Sequence, residues 1–193
     1  MKEIDVTFGT SGTDDIVVNW FINGSTMLVD WGNPTLEYIH QGDTSFPTNL
    51  NVLTMSKDNE WYFWVIQTVG FGLPHPIHVH GHDFYVLGSE MGTYNGSIND
   101  LNFANPVRRD VATLPQGGSG GFLVVALKAD NPGAWAIHCH IAWHASEGFS
   151  MEFVERESEI SFNNWDMLTD GCSAWSNWWA SSARIYSMDD SGL

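Results

Sequence analysis

Basic residues and cysteines are scarce in this chain of 193 residues. Seven Lys and Arg stand against 23 Asp and Glu, which gives a formal net charge of −16. A surface of that sign repels phosphate backbones and anionic lipid headgroups, so we expect neither nucleic acid nor membrane as a partner. Two cysteines, Cys139 and Cys172, are too few to form a disulfide scaffold.

Long apolar runs are also lacking. The longest, from Phe122 to Leu127, is far shorter than the roughly 20 residues that a bilayer-spanning helix needs. The N-terminus does not show the basic, then apolar, then small-residue order of a signal peptide and starts directly into strand-like alternation. We therefore expect either a cytosolic product or a piece of a longer chain.

Short β-branched or aromatic runs, bounded by turn residues, predict an all-β chain. These runs are Asp15 to Phe21, Glu60 to Thr68, Asp83 to Leu87 and Gly121 to Leu127. Their spacing favours an antiparallel sandwich or barrel. The glycine-rich segment Gln116 to Gly121 contains no Gly-Lys-Ser/Thr motif, so it is interpreted as a hairpin loop and not as a phosphate-binding loop.

Helix is predicted only in the last third of the chain, where the composition also changes. The candidate helices are Ile141 to Ser146, Asn163 to Ala174 and Trp175 to Ala183. From about residue 158 the chain is rich in Trp, Ser, Asp and Asn. We therefore expect a folded domain over residues 1–157 and an extension over 158–193. The extension would either cover the domain's own sandwich or seal a contact with another domain.

Seven of the eight histidines fall in two clusters, HPIHVHGH and HCHIAWH. Successive side chains of a strand point to opposite faces, so His78 and His80 share one face of their strand. His138 and His140 share one face of theirs for the same reason. Two such strands side by side would present four imidazoles to one gap, which is a ligand set for more than one metal ion.

Cys139 lies between two of these histidines and must point the other way, toward a second site. His144 follows five residues later, after a turn that can bring it back near the sulfur, and His75 precedes the other cluster's His-x-His pair. One Cys with two His is the ligand set of a blue-copper site. Phe149 would leave the axial position without a donor, which raises the copper potential because the oxidised ion is destabilised.

Zinc is the main competing metal, since Cys and His also form zinc sites. The paired Cys-x2-Cys spacing of many structural zinc sites is missing, however. His82 follows a glycine and precedes Asp83, and we predict that it supports the site through a hydrogen bond and is not a ligand. His40 stands alone and is interpreted as an ordinary histidine.

At these residues the sequence resembles the C-terminal cupredoxin domain of ascomycete-type fungal laccases, which are multicopper oxidases. The segments HPIHVHGHDFYVLG (75–88) and HCHIAWHASEGF (138–149) resemble the two C-terminal copper motifs of that family. The likeness extends over NPVRRDVATLP (105–115), ADNPGAWAIHCH (129–140) and VNWFINGSTMLVDWGNPTLEYI (18–39). It implies a cupredoxin-like Greek-key β-sandwich or barrel with a short helical, Trp-rich C-terminal extension.

The resemblance implies copper as the cofactor, with type 1, type 2 and type 3 ions and up to four ions in a complete enzyme. The implied ligands are His75, Cys139 and His144 for type 1, His78 for type 2, and His80, His138 and His140 for type 3. Phe149 takes the axial place, where the ascomycete pattern more often has Leu. His144 would meet the substrate, and electrons would cross from Cys139 to its two histidine neighbours.

The resemblance also implies an activity and a setting. Phenols or aromatic amines would be oxidised, and O2 would be reduced to water, by a secreted glycoprotein of the kind that degrades lignin. Sequons at Asn23 and Asn95 give weak support for secretion. The chain carries only four of the eight histidines of the family's trinuclear cluster. We therefore expect N-terminal cupredoxin domains of the same enzyme as partners and little oxidase activity from this chain alone.

Two features of the tail follow from the same resemblance. Cys172 resembles a cysteine that forms a disulfide bridge to the N-terminal domain, and the final DSGL (190–193) resembles a segment that plugs a channel to the trinuclear cluster. The alternatives are a stand-alone blue-copper electron-transfer domain that uses only His75, Cys139 and His144, a metal-free β-domain, and a self-associating copper protein.

Overall fold

Two β-sheets pack against each other in the computed structural model, which describes residues 1–11, 17–69, 72–181 and 191. The strands are β1 (Lys2–Ser11), β2 (Val17–Ile22), β3 (Val52–Met55), β4 (Trp61–Thr68), β5 (His75–Val79), β6 (Phe84–Met91), β7 (Val107–Arg109), β8 (Val111–Leu114), β9 (Gly121–Lys128), β10 (Gly133–Cys139) and β11 (Ser150–Glu155). The helices are α1 (Thr35–His40), α2 (Ala142–Ser146) and α3 (Trp165–Ala180), with short 3-10 turns at Thr48–Leu50, Ile98–Asp100 and Glu157–Glu159.

The strand order shows that the chain passes repeatedly between the two sheets. One sheet has six strands in the order β2-β1-β4-β9-β6-β7, and the other has five in the order β3-β11-β10-β5-β8. The β1–β4 and β3–β11 pairs are parallel, and the remaining pairs are antiparallel. The predicted all-β sandwich is confirmed.

The core lies between the two sheets, and the residues of β9, which is almost entirely apolar, pack on both faces of their sheet. Leu123, Val125 and Leu127 belong to the cluster between the sheets, whereas Val124 and Ala126 pack in a second cluster. The second cluster includes the partly buried Tyr94, so β9 is covered on both faces. A strand buried on both faces loses the usual polar alternation.

The predicted strands are close to the observed ones. The run from Glu60 corresponds to β4 and the run from Gly121 to β9, each within one residue at its ends. The run from Asp83 continues to Met91 because a register shift between Val86 and Gly88 lets β6 keep pairing with β9. The run predicted from Asp15 begins, among described residues, at Val17.

The prediction that Gln116 to Gly121 is a hairpin loop is wrong. β8 lies in the five-stranded sheet and β9 in the six-stranded sheet, so the segment crosses between sheets. The turn itself is present, since Gly117 and Gly120 form an isolated bridge. A Cβ on Gly120 would come within 2.1 Å of the Thr68 carbonyl oxygen, so the crossing is too tight for a side chain there.

The helical predictions are partly corrected. α2 begins one residue after the predicted start, but the two candidate helices after residue 163 form the single helix α3. The side chain of Asn164 caps that helix by accepting a hydrogen bond from the Met167 amide at 3.1 Å. Residues 182 and 183, which the second candidate included, lie outside the described residues, as does the tail DSGL apart from Ser191.

α3 packs against the segment that contains α1. Trp165 stacks on His40 with ring centroids 4.6 Å apart, and the Thr169 hydroxyl donates to the Glu37 carboxylate at 3.1 Å. Cys172 is the one α3 residue that is fully buried. Most of the extension that the structure describes is therefore exposed, which does not fit the expectation that it covers the domain's own sandwich. Among the described residues, no helix has the length and apolar character to cross a membrane.

Candidate metal centre

Three potential ligands converge between the sheets. β5 and β10 are antiparallel neighbours, and His75 and Cys139 both lie on their inward faces. α2 turns back after β10 and brings His144 to the same place. Nδ1 of His75 and Nδ1 of His144 are 3.2 Å apart, and they lie 3.7 and 3.6 Å from the Cys139 sulfur. We call these three residues, with the ligand atoms that face one another, the inward triangle.

The inward triangle has the size of a metal site. A point equidistant from the three atoms lies about 2 Å from each, which is close to the bond length between imidazole nitrogen and a first-row metal ion. All three side chains are buried, so water competes poorly for the position. One thiolate with two imidazoles in a plane is the donor set of a blue-copper site, and the residues fit that ion.

Burial sets the protonation of the inward triangle. It lowers the pKa of His75 to about 4, with Gln116 opposing and His144 assisting that shift. It also lowers the pKa of His144, against the raising effect of Glu147. Both rings are therefore neutral near pH 7 and offer lone pairs. Burial raises the pKa of the Cys139 thiol to about 11, so metal binding must release its proton.

An aromatic cover closes the inward triangle. The indole of Trp20, from β2, lies 4.7 Å from the His75 ring, 4.8 Å from the His144 ring and 5.2 Å from the Phe149 ring, measured between centroids. Phe149 itself is 2 % exposed and lies edge-on to His75 at 5.0 Å. Phe149 thus packs against the His75 and Trp20 rings and would offer no donor atom to a metal held by the inward triangle.

Glu147 anchors this cover. Its carboxylate accepts a hydrogen bond from the Trp20 indole N–H at 3.1 Å, and its carbonyl accepts one from the Trp20 amide at 2.8 Å. Glu147 follows α2, which carries His144. The indole and that ligand are therefore tied to the same short segment.

The two inward histidines have different surroundings on their outer edges. Nε2 of His75 lies 2.8 Å from the side-chain oxygen of Gln116, and His75 has no exposed surface. His144 instead lines a shallow cavity of about 190 Å³ at the protein surface. Phe8, Trp20 and Leu73 supply apolar walls to that cavity. Of the two rings, His144 is the one that an aromatic molecule can approach.

Four imidazoles lie on the opposite faces of the same two strands. These outward histidines are His78, His80, His138 and His140, and their neighbouring ring centroids are 5.0 to 5.8 Å apart. Nε2 of His80 and Nε2 of His138 approach to 3.1 Å. The expected alternation, with Cys139 inward and its neighbours outward, is what the strand shows.

Hydrogen bonds orient two of the outward histidines. Nδ1 of His78 donates to the Asp110 carbonyl at 3.0 Å, and Nδ1 of His138 donates to the Cys139 carbonyl at 2.9 Å. Each bond leaves the Nε2 lone pair free to face a metal. Burial, then the neighbouring imidazoles, lower the pKa of His80, and burial is also the main cause that lowers the pKa of His138.

The outward histidines form an open set. In the part of the chain that the structure describes, the inward triangle is the only group of three or more His, Cys, Asp or Glu residues that could hold a metal ion. Its ligand atoms all lie within 4.8 Å of one another. His80 and His140 are exposed. Among the described residues, the outward histidines therefore do not enclose an ion by themselves.

His82 lies against a buried carboxylate behind the outward histidines. Its Nε2 lies 2.8 Å from the Glu155 carboxylate, and its Nδ1 donates to the His80 carbonyl at 3.1 Å. Glu155 also accepts a hydrogen bond from the Asn131 amide at 2.6 Å. The hydrogen bond expected of His82 is present, and its supporting role at the site stays a prediction. His40, which was interpreted as an ordinary histidine and not as a ligand, stacks on Trp165 of α3.

Sequence reasoning missed four residues around these sites. Trp20, Gln116 and Glu155 lie outside the two histidine clusters, whereas Glu147 follows His144 by three residues within HCHIAWHASEGF. Gln116 reaches His75 because β8 pairs with β5 so that Leu114 faces His75 and Gln116 follows two residues later, and the sequence does not show that pairing. Nothing in the local sequence singled out Trp20 or Glu155, and the position of Glu147 beside His144 was the one available signal.

Comparison with known proteins gives consistent results. Residues 23–159 match the sequence family described as multicopper oxidase. Laccase-2 of Botryotinia fuckeliana is 44 % identical over 182 residues, which cover 90 % of this chain and 30 % of that protein. The laccase of Cryphonectria parasitica is 40 % identical over 192 residues, which cover 90 % of this chain and 32 % of that protein.

Solved structures agree with the sequence relatives. The laccase from Botrytis aclada superposes with a TM-score of 0.85 and 41 % identity, covering all of this chain and 35 % of that one. Fet3p, a multicopper oxidase that functions in iron import, gives a TM-score of 0.67 at 26 % identity, covering 89 % of this chain and 35 % of that one. The chain spans about a third of the length of these proteins.

Proposed function

The chain belongs to the multicopper oxidase family, and we propose that it serves as the C-terminal copper-binding domain of a laccase-like member. The complete protein would oxidise phenols or aromatic amines and reduce O2 to water. Copper, when bound, supplies one-electron redox chemistry, while the protein sets geometry and access. The observation that carries the proposal is the inward triangle of His75, Cys139 and His144, with sides of 3.2 to 3.7 Å.

The type 1 assignment to the inward triangle is supported by the donor set and its cover. One buried thiol and two neutral imidazoles meet, and Phe149, which we propose for the axial place, packs against His75 and has no donor atom. The rings of Trp20 and Phe149 cover the His75 ring. A site without an axial donor favours the reduced ion, which suits an oxidant of phenols.

The cavity at His144 supports an aromatic electron donor as substrate. Apolar side chains line it, and the imidazole of His144 forms part of its wall. A flat phenol or aniline would lie against these walls with its ring close to His144. Gln116 also lines the cavity and offers a polar group to a hydroxyl or amino substituent.

The outward histidines support an assignment as half of a trinuclear site, with His78 for type 2 and His80, His138 and His140 for type 3. We propose that N-terminal cupredoxin domains of the same protein supply the other histidines. An electron carrier that uses only the inward triangle would have no need for four further imidazoles on the opposite face. The peptide His138–Cys139–His140 joins the two ligand sets covalently.

The remaining expectations concern domain limits and setting. We propose residues 1–157 as the cupredoxin domain and 158–193 as an extension that contacts another domain, because α3 is mostly exposed on this chain. A secreted glycoprotein that acts on lignin-type phenols is proposed as the parent. Asn23 and Asn95 are both exposed, as glycosylation requires.

Copper counting with an optical spectrum tests the function. The copper-loaded protein that contains this chain should show an intense blue thiolate-to-copper band. Cys139→Ser should abolish that band, and the matched variant Cys172→Ser should keep it. A blue band that survives in Cys139→Ser would refute the type 1 assignment.

A further inference from the structure

A buried amide lies directly behind one ligand of the inward triangle. Oε1 of Gln116 is 2.8 Å from Nε2 of His75, while Nδ1 of the same ring faces the Cys139 sulfur at 3.7 Å. Gln116 is 9 % exposed and His75 is fully buried. The imidazole is therefore held at both of its nitrogens.

This arrangement selects one tautomer of the ring. A neutral imidazole carries its proton on one nitrogen and a lone pair on the other. An acceptor oxygen at Nε2 keeps the proton there, so the lone pair on Nδ1 faces the inward triangle. Partners of this kind orient the ring and make it a better metal donor.

Gly72 explains how the amide reaches this position. A Cβ added at Gly72 would lie 2.5 to 2.7 Å from the amide atoms of Gln116, which is closer than atoms can approach. The clashing atoms are the far end of a flexible side chain, so the amide would swing away and the backbone would stay. A glycine at position 72 thus leaves room for the contact between Gln116 and His75.

We propose that Gln116 is a positioning residue for the His75 ligand and that Gly72 provides the space in which it acts. The inference rests on the proposed function, since it takes the inward triangle to hold copper. Gln116 reaches the metal only through the His75 ring. It sets the direction and donor strength of Nδ1.

The first test removes the acceptor. Gln116→Leu in the copper-loaded protein should raise the Kd for type 1 copper by about 10- to 100-fold. Gln116→Glu restores an acceptor and should bring the Kd back toward the parent value. Because a carboxylate is the stronger acceptor, Gln116→Glu should also shift the reduction potential below that of the parent.

The second test displaces the amide without changing it. Gly72→Ala should reproduce the weaker copper binding of Gln116→Leu. The matched control is Gly118→Ala, where a Cβ would meet no atom within 4 Å, and it should keep the parent Kd and potential. Gln67→Leu is the control for loss of a glutamine, since its amide bonds to Asp5 and does not line the cavity.

The readouts separate this inference from the proposed function. If the parent has a blue band that Cys139→Ser abolishes, but Gln116→Leu and Gly72→Ala keep the parent Kd and potential, the inference alone is overturned. A change confined to the unfolding midpoint of the metal-free protein also overturns it, because that result indicates a purely structural role. If the parent has no blue band, the proposed function fails and this inference fails with it.

Discussion

His138 and Cys139 are consecutive residues whose side chains lie on opposite faces of β10, and Nδ1 of the first donates to the carbonyl of the second at 2.9 Å. The imidazole faces the outward set and the sulfur faces the inward triangle. One strand therefore builds parts of two separate ligand sets.

The opposed faces predict that the two sets can be damaged independently. His138→Gln and His140→Gln should keep the blue band of the copper-loaded protein, because neither side chain belongs to the inward triangle. Both variants should lower the total copper content. Optical spectroscopy combined with elemental analysis checks this, and loss of the band in either variant would contradict the separation.

Phe149 should control the reduction potential. Phe149→Met places a thioether beside the inward triangle, and coordination by that sulfur stabilises the oxidised ion and lowers the potential. Phe149→Leu is the matched control, because it also replaces the aromatic ring by an aliphatic side chain but brings no donor atom for the metal. Redox titration of the blue band should therefore place the Met variant below the Leu variant. Equal reduction potentials in the Met and Leu variants would contradict an axial role for residue 149.

The depressed pKa of His75 predicts a pH-dependent stability of the metal-free chain. The unfolded chain binds a proton at this ring near pH 6.5, whereas the folded chain binds it only near pH 4. Between these values the unfolded state holds more protons, so the unfolding free energy falls as pH falls from about 6.5 to about 4. The loss is roughly 3 kcal/mol for a shift of this size.

Substitution isolates the contribution of His75. His75→Phe removes the titrating group, so its unfolding free energy should fall less steeply than the parent's in urea titrations between pH 6.5 and 4. Glu152 and Glu155, whose pKa values are raised by burial, act in the opposite direction in both proteins and cancel in the comparison. Identical slopes would show that His75 titrates normally in the folded chain.

The buried pair of His82 and Glu155 should be costly to break from one side. Glu155→Leu leaves the imidazole without its carboxylate and should destabilise the chain by about 3 kcal/mol or more. Adding His82→Phe should recover part of that loss, because the buried imidazole that had lost its carboxylate is then removed as well. Lys57→Ala, which breaks an exposed ion pair with Glu60, should change the unfolding free energy little. Strict additivity in the double variant would argue against coupling.

Ser191 predicts a stabilising role for the end of the tail. It is 2 % exposed, and its hydroxyl and amide both donate at 2.6 Å, to the Ala145 and Ser146 carbonyls of α2. Ser191→Ala removes one buried hydrogen bond and should cost about 1 kcal/mol. Ser181→Ala, which removes a similar bond at the end of α3, should cost less because that site is less buried. Chemical denaturation compares the two.

Much of the site was predictable because its information is local. The period of two in His-x-His and His-Cys-His fixes which side chains share a face, and five residues suffice for α2 to return His144 to the sulfur. The aromatic run of β4 and the aliphatic run of β9 were predictable for the same reason. These features depend on neighbours in the sequence and need no knowledge of topology.

The surroundings of the site were not predictable because they depend on which strands meet. Trp20 reaches the ligands from β2, and Gln116 reaches His75 because β8 pairs with β5. The turn residues in Gln116 to Gly121 are the same whether a chain folds back in one sheet or crosses to another, so local signals gave the wrong connection. The merging of two candidate helices into α3 likewise depends on packing against α1.

The alternation along β10 also limits how this strand can evolve. Inserting or deleting one residue between Ile137 and Cys139 would send the thiol outward and an imidazole inward. A change of one codon would therefore break up the inward triangle and the outward histidines together. Loops elsewhere in the chain tolerate length changes far more readily. The spacing within this short stretch should therefore drift much less than its individual side chains.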